Sequence, residues 1–466
     1  MRWPEPTFVE RALQLPPEIR ACGLARGDIP TLIELLAAWY PSLAAAEDQT
    51  LLTSAIYETQ AALVGEEQDV LARPLHVLLF KAQGEAAPVG YLAVEYEPIN
   101  RSMLGRMSVV DPRFRGRGLG GALVEASVVI ARAMGVQMIY GLVELDNKAQ
   151  CAGLERAGHL LCGIAPDSDS KPLDAASTCH VPEAVYVNLL LPADELVWPK
   201  PAALRPSTAA LMQLLFEHDD TRSAPPPLAM TPLPRLSASA AARCAARPPG
   251  TWPDIRWLAD ELGLPQGLTP RPLARADVPR LIAALPGLNP ELEHDPDHHM
   301  LDPTFYAERV AFAGEDAVIA NRPVYAWVIE REGEIVGFHH ATFDVERSTF
   351  TAKLSTLASP RDPEVQTSLP RWIALVGPWL EVETLLCWTD LRELSGQLAC
   401  ERSGLRLFGF LPASDRTATA PGVVRHGFLA IYGVSLVPPE RAYVPARATM
   451  TPRVATLADF VLGSPA

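Results

Sequence analysis

Val109-Val110-Asp111-Pro112-Arg113-Phe114-Arg115-Gly116-Arg117-Gly118-Leu119-Gly120-Gly121-Ala122-Leu123 is the stretch whose reading decides the fold. An apolar run ends in Asp-Pro, an Arg/Gly-rich loop follows, and a helix opens with small residues. Pro112 has no backbone N–H and biases Asp111 away from helix, so a strand must end there. The glycines at 116, 118, 120 and 121 remove Cβ atoms where a ligand's phosphates could approach the backbone. The first amides of the following helix have no intrahelical acceptor, and the helix dipole is positive at that end. Strand, glycine-rich turn and helix N-terminus together predict a phosphate cradle.

Two familiar cradles are excluded. No Gly-Lys-Ser/Thr is present, so this is not the loop of a nucleoside triphosphatase. No glycine triplet of the dinucleotide-binding type opens the helix, and no acidic residue ends a second strand at the usual distance. What remains is Arg-x-x-Gly-x-Gly at Arg115, Gly118 and Gly120.

The flanking pattern supplies a context. Ala21–Arg26 reads as a strand, and Asp28 caps a helix with Ile29, Leu32, Ile33 and Leu36 on its apolar face. A second helix is expected over Leu51–Val64. Pro74–Phe80 and Val89–Tyr96 read as a hairpin around Gly84-Glu85, and Arg106–Val110 continues the sheet. The helix after the loop should stop at Gly135. Val136–Val143, a helix from Asn147 to Gly158 and a strand at Val185–Leu191 complete the order β-α-α-β-β-β-α-β-α-β. That order and loop resemble the GNAT-type N-acetyltransferases.

The resemblance implies an acyl-CoA co-substrate, acetyl-CoA in the first instance. It places pantetheine on the backbone of Ser108, Val109 and Val110, and pyrophosphate on the loop Arg115, Gly116, Arg117, Gly118, Leu119, Gly120 and Gly121. Asn147 matches a cofactor-contacting asparagine of the family. The chemistry implied is direct attack of a neutral amine on the thioester, with a strand amide near Val110 holding the oxyanion. The tyrosine that often serves as acid, seven residues after the asparagine, is here Leu154. Cys151, one turn earlier, reads as a buried small hydrophobe. Glu144 at the end of its strand is the candidate base, with Glu95 and Glu97 also facing the cleft. His180 falls in a Pro166–Pro182 excursion expected to lid the acceptor site.

The chain repeats itself. Leu24–Ile33 aligns with Leu273–Ile282, Val89-Gly90-Tyr91 with Val336-Gly337-Phe338, and Glu155–Gly158 with Glu401–Gly404, all at nearly one offset. The second copy has Ser359-Pro360-Arg361-Asp362-Pro363-Glu364 where the first has its glycine loop. It should therefore not bind coenzyme A in the usual way. The expected fold class is α/β, with two GNAT-like mixed-sheet domains in tandem joined by a Pro/Ala-rich linker. The expected segments are an acyl-CoA-binding domain at 1–195, a linker with short helices at 196–267, a degenerate GNAT-like domain at 268–440 and a tail at 441–466.

Composition narrows the partners. Forty Lys+Arg against 55 Asp+Glu give a net charge of −15, which argues against a nucleic-acid protein. Seven scattered cysteines lack a Cys-x-x-Cys pair and fit reduced thiols in a cytoplasm. No apolar signal core or membrane-length apolar run occurs, so a cytoplasmic protein without a membrane partner is expected. Glu293–His299 fits no standard zinc spacing, and no metal is expected. The resemblance implies an amine of an unidentified acceptor, the partner being a small-molecule amine or a carrier protein. A carrier-protein thiol, malonyl-CoA decarboxylation or plain acyl-CoA binding without turnover are the alternatives. Nothing in the sequence names the oligomeric state.

Overall fold

The computed structural model describes the 466 residues except 14, 99–100, 173–176, 201–203, 217–231, 290–291, 293–295, 316, 345–347, 358–362, 421–422 and 463–466. The chain falls into two compact units, Met1–Ala193 with Pro438–Ala458, and Asp194–Val437 with Asp459–Ala466.

The first unit runs α1 (Pro6–Leu13), β1 (Ile19–Gly23), α2 (Ile29–Trp39), α3 (Ser54–Gln60), β2 (Leu75–Ala82), β3 (Pro88–Glu97), β4 (Ser102–Val110), α4 (Leu119–Met134), β5 (Met138–Glu144), α5 (Lys148–Arg156), β6 (Leu160–Pro172) and β7 (Thr178–Leu189). Its sheet has the order β1-β2-β3-β4-β5-β7-β6, antiparallel throughout except for the parallel pair β4–β5. Period-two alternation sends side chains to opposite faces. On β2, Leu78 and Phe80 join α1 and α4 in one core, whereas Val77 and Leu79 join α2 and α3 in the other. Leu119, Leu123, Ala126 and Ile130 form the buried stripe of α4, and Gly135 ends that helix in the left-handed conformation at φ 65°.

Two local expectations are corrected. The Leu51–Val64 helix is instead a short 3-10 helix at Glu47–Leu52 followed by α3, because Thr53 is extended between them. Pro166–Pro182 is not an excursion. Among its described residues, 166–172 lie on β6 and 178–182 on β7, where cross-strand pairing of Asp169 with Val181 and Lys171 with Cys179 holds residues of low strand propensity extended. His180 accordingly lies on β7, and it is buried.

The second unit contains α6 (Pro206–Phe216), α7 (Ala238–Ala245), β8 (Thr269–Pro272), α8 (Val278–Leu288), α9 (Pro303–Arg309), β9 (Val310–Ala311), β10 (Val324–Arg331), β11 (Glu334–Asp344), β12 (Thr349–Leu357), α10 (Pro363–Val376), β13 (Thr384–Asp390), α11 (Leu394–Arg402), β14 (Arg406–Ala420) and β15 (Val423–Ser435). Its strands pair in the order β8-β10-β11-β12-β13-β15-β14, with β12–β13 parallel. Apart from the added β9, this is the pairing order of the first unit. The residues Ser359–Asp362 of the replaced loop lie outside the described residues, as does the Glu293–Asp295 part of the polar motif. His298 and His299 sit on a 3-10 helix, Pro296–Leu301. No helix among the described residues is long and apolar enough to cross a membrane.

The core carries an acid-sensitive element. His76 on β2 is buried, stacks on Trp3 at 4.8 Å between centroids, and has no hydrogen-bond partner for either ring nitrogen among the described residues. Burial pushes its pKa down to about 4. The unfolded chain then takes up a proton below an ordinary histidine pKa near 6.5, while the folded chain does not until about 4. Stability is therefore full above that upper value and is lost as pH falls through the window. His76→Phe, which keeps the stack on Trp3, is expected to be more resistant to unfolding at pH 5 than wild type. The gain in urea titrations should be about 2 kcal/mol at pH 5 and should shrink towards zero at pH 7.5.

Candidate functional site

The site is built from a gap in the sheet. β4 and β5 pair only from Ser102–Gly105 with Met138–Gly141. Beyond Gly105 the β3–β4 register slips, since Ala93 faces Met107 but Val94 faces Gly105, which leaves Arg106 as an extra residue. Such a bulge bends the strand that carries it. From Arg106 onward β4 has no pairing with β5, whose Leu142–Glu144 stay on β7.

The orientation of the backbone in that gap follows from the ladder. The Asp111 N–H donates to Val89 O at 3.0 Å. Alternation in an antiparallel pair then makes Val109 with Tyr91 and Met107 with Ala93 the next bonded pairs. The N–H and C=O groups of Ser108 and Val110 therefore point away from β3, into the gap. Consistent with this, the Val110 carbonyl accepts from Arg115 Nε at 3.2 Å.

At the mouth of the gap lies the glycine loop. Asp111 accepts from the Arg113 N–H at 2.9 Å and pairs with its guanidinium, closing one 3-10 turn at Pro112–Phe114. Gly116 and Gly118 have φ of 77° and 82°, a region that glycine enters without strain. Nothing lies within 4 Å of an ideal Cβ at Gly116, Gly118, Gly120 or Gly121. The first α4 amide bonded to the chain is that of Ala122, to Gly118 O, and no amide of residues 116–121 reaches an acceptor among the described residues. Six donors thus surround open space at the positive end of a sixteen-residue helix. The Arg115 side chain is not among them: it bonds Val110 O and Trp39 O, locking the loop to β4 and to the end of α2. Arg117 lies 4.9 Å from the Phe114 ring centroid.

Asn147 is the N-cap of α5, accepting from the Gln150 N–H at 3.2 Å and donating to Gln150 Oε1 at 2.9 Å. Gln150 Nε2 in turn reaches Ser108 Oγ at 3.4 Å, so Asn147, Gln150 and Ser108 line one wall of the gap. Leu154 and Cys151 are both buried on α5, and burial pushes the Cys151 thiol up to about 11. Leu154 has no proton to give, and Cys151 keeps its own at neutral pH.

The carboxylates have defined partners. Glu144, half-buried at the end of β5, accepts from the Tyr40 hydroxyl at 2.7 Å and from Lys171 Nζ at 3.0 Å. Burial and the Glu144 charge raise the Tyr40 pKa, so that phenol stays protonated. With both oxygens engaged, Glu144 serves better as a fixed charge than as a free base. Glu95 and Asp48 clamp Arg106, the bulge residue, and so tie the Glu47–Leu52 turn to β4. Glu97 accepts from Ser102 and from Tyr140. His180 faces Arg441, its Nε2 lying 2.7 Å from that guanidinium, and so belongs with the returning C-terminal segment. The sequence reading missed Tyr40 and Lys171, which only the fold brings to Glu144, and Arg106, which it brings to Asp48 and Glu95. Among the described residues no group of three metal-ligating side chains occurs.

Comparison with known proteins bears on the same stretch. Residues 31–159 match the acetyltransferase (GNAT) family. Solved structures that resemble the chain include yncA of Salmonella typhimurium with its cofactor acetyl-CoA, at 15% identity over 37% of this chain and 95% of that one, with a TM-score of 0.30. An N-acetyltransferase of Staphylococcus aureus Mu50 gives 15% identity, 37% and 99% coverage and a TM-score of 0.30. An acetyl transferase of Salmonella typhimurium that modifies the N-terminal serine of a ribosomal protein gives 15%, 38% and 97%, and 0.29. No curated protein matches the chain. The matched residues, 31–159, hold the bulged strand, the glycine loop and the helix it opens.

Proposed function

We propose that the first unit transfers an acetyl group from acetyl-CoA to an amine. The observation that carries this reading is the gap itself: backbone groups of Ser108 and Val110 face it, and six loop amides without acceptors stand at its mouth. A pantetheine arm is an extended chain of amides, and it would add to the free side of β4 as a short strand. Its pyrophosphate would lie on the amides of Gly116 to Gly121, and Asn147 with Gln150 would border the arm. The Val110 N–H would hold the oxyanion formed when the amine attacks the thioester carbon. The carbon–sulfur bond then breaks, and the thiolate leaves with a proton released by the amine. Leu154 cannot supply that proton, so water in the gap would relay it.

In this reading the second unit is a diverged copy. The shared pairing order and the collinear repeats support it, and Asp362, Pro363 and Glu364 in place of the glycines argue against a second coenzyme site. Isothermal titration with acetyl-CoA should therefore show one site per chain. Two equivalent sites would refute the diverged-copy reading, and no binding would refute the acyltransferase reading.

A further inference from the structure

Lys171 Nζ lies 3.0 Å from Glu144 Oε2, 3.5 Å from Asp146 Oδ2 and 4.0 Å from the centroid of the Tyr443 ring. The Tyr443 hydroxyl donates to Asp146 Oδ2 at 3.0 Å, and the Tyr40 hydroxyl donates to Glu144 Oε1 at 2.7 Å. Two oriented carboxylates and one aromatic face thus converge on a single ammonium. The aromatic wall is delivered by the returning segment Pro438–Ala458, whose Tyr443 N–H donates to His180 O at 2.8 Å. Glu144 is the last residue of β5, so this box stands at the open end of the gap.

We propose that the box is the acceptor's ammonium subsite and that Lys171 is its internal occupant, displaced when an alkylammonium group of the acceptor enters. The proposal rests on the acetyl-transfer reading and adds a substrate class to it. Exchange of one ammonium for another leaves both carboxylates compensated, so no charge is stranded during displacement. Lysine suits the role because its charge rides on a flexible four-carbon stem. Burial works against the Lys171 charge, but the Glu144 bond and the Asp146 charge outweigh it and raise its pKa. An amine held in this box therefore stays protonated and cannot attack a thioester. The acceptor must carry a second amino group for the reaction, which makes it a diamine or polyamine.

The chain has five lysines, so each dimethyl-lysine signal of the protein reductively methylated with carbon-13 formaldehyde can be resolved. The Lys171 signal should be displaced by the Tyr443 ring. Diaminobutane and butylamine are expected to move it to the position of an exposed lysine, and butanediol is expected to leave it in place. By calorimetry, Lys171→Met should bind diaminobutane about tenfold more tightly than wild type, since the competitor is gone. Tyr443→Phe in that background should keep most of the gain, and Tyr443→Leu should lose it. A Lys171 signal that stays fixed under saturating diaminobutane, or a Lys171→Met chain that binds no more tightly, would overturn the proposal. Acetyl-CoA titrated into the same samples reports separately on the acetyl-transfer reading.

Discussion

Gly120→Glu should lose acetyl-CoA binding by more than a hundredfold without losing stability. Position matters here. At Gly118 the positive φ would strain any side chain, so a loss of binding there could come from a distorted loop. Gly120 has no such φ, and nothing lies within 4 Å of its ideal Cβ. A glutamate in the first turn of α4 is favoured by the helix dipole by about 0.3–1 kcal/mol. The same carboxylate would stand about 5 Å from a pyrophosphate on the loop amides, where like charges repel by about 3 kcal/mol at an effective dielectric near 20. Thermal unfolding should accordingly show a midpoint equal to or above wild type, while calorimetry shows binding abolished. Gly120→Gln, of the same size but neutral, should retain most of the affinity. If the glutamate variant binds as wild type does, the phosphates do not sit on this loop. If the glutamine variant loses binding equally, bulk rather than charge decides.

How much of this site could be read from the chain depends on the range of the interaction involved. The glycine loop is local: Pro112 ends a strand, four glycines clear the space, and Leu119 to Leu123 begin the helical stripe, so its reading needs no partner. The α4 stop at Gly135 is legible for the same reason. The gap between β4 and β5 is not local. It follows from one extra residue, Arg106, in a register set by β3, and arginine carries no bulge signature. β6 was hidden by composition, since Pro166 to Pro172 is polar and is held extended by its pairing with β7. The ammonium box was least legible of all, because Tyr40, Glu144, Lys171 and Tyr443 come from four separate segments. One of the chain's five lysines, Lys171, pairs with Glu144 at the end of β5. Glu144 was found as a candidate because it ends a strand beside the loop, but its partners, which change its role from base to fixed charge, could not be.

Val110→Pro should lower the chemical step by about 100- to 1,000-fold. The Val110 N–H points away from β3, so proline there removes no strand hydrogen bond, unlike the same change at Val109. The residue before a proline must be extended, and Val109 already is, as part of β4. What disappears is one donor aimed into the gap, where the thioester oxygen gains charge as the tetrahedral intermediate forms. The measurement need not await an acceptor. Enzyme-catalysed hydrolysis of acetyl-CoA passes through the same oxyanion with water as nucleophile, and thiol release reports its rate. The maximal rate should fall by the stated factor, while acetyl-CoA affinity, carried mainly by the loop amides, changes by no more than several-fold. Val110→Ala keeps the N–H and should remain within about threefold of wild type, which separates the amide from the side chain's packing against the α4 core. A proline variant as fast as wild type would move the oxyanion site off β4, and with it the assignment of the gap as the place where the thioester is broken.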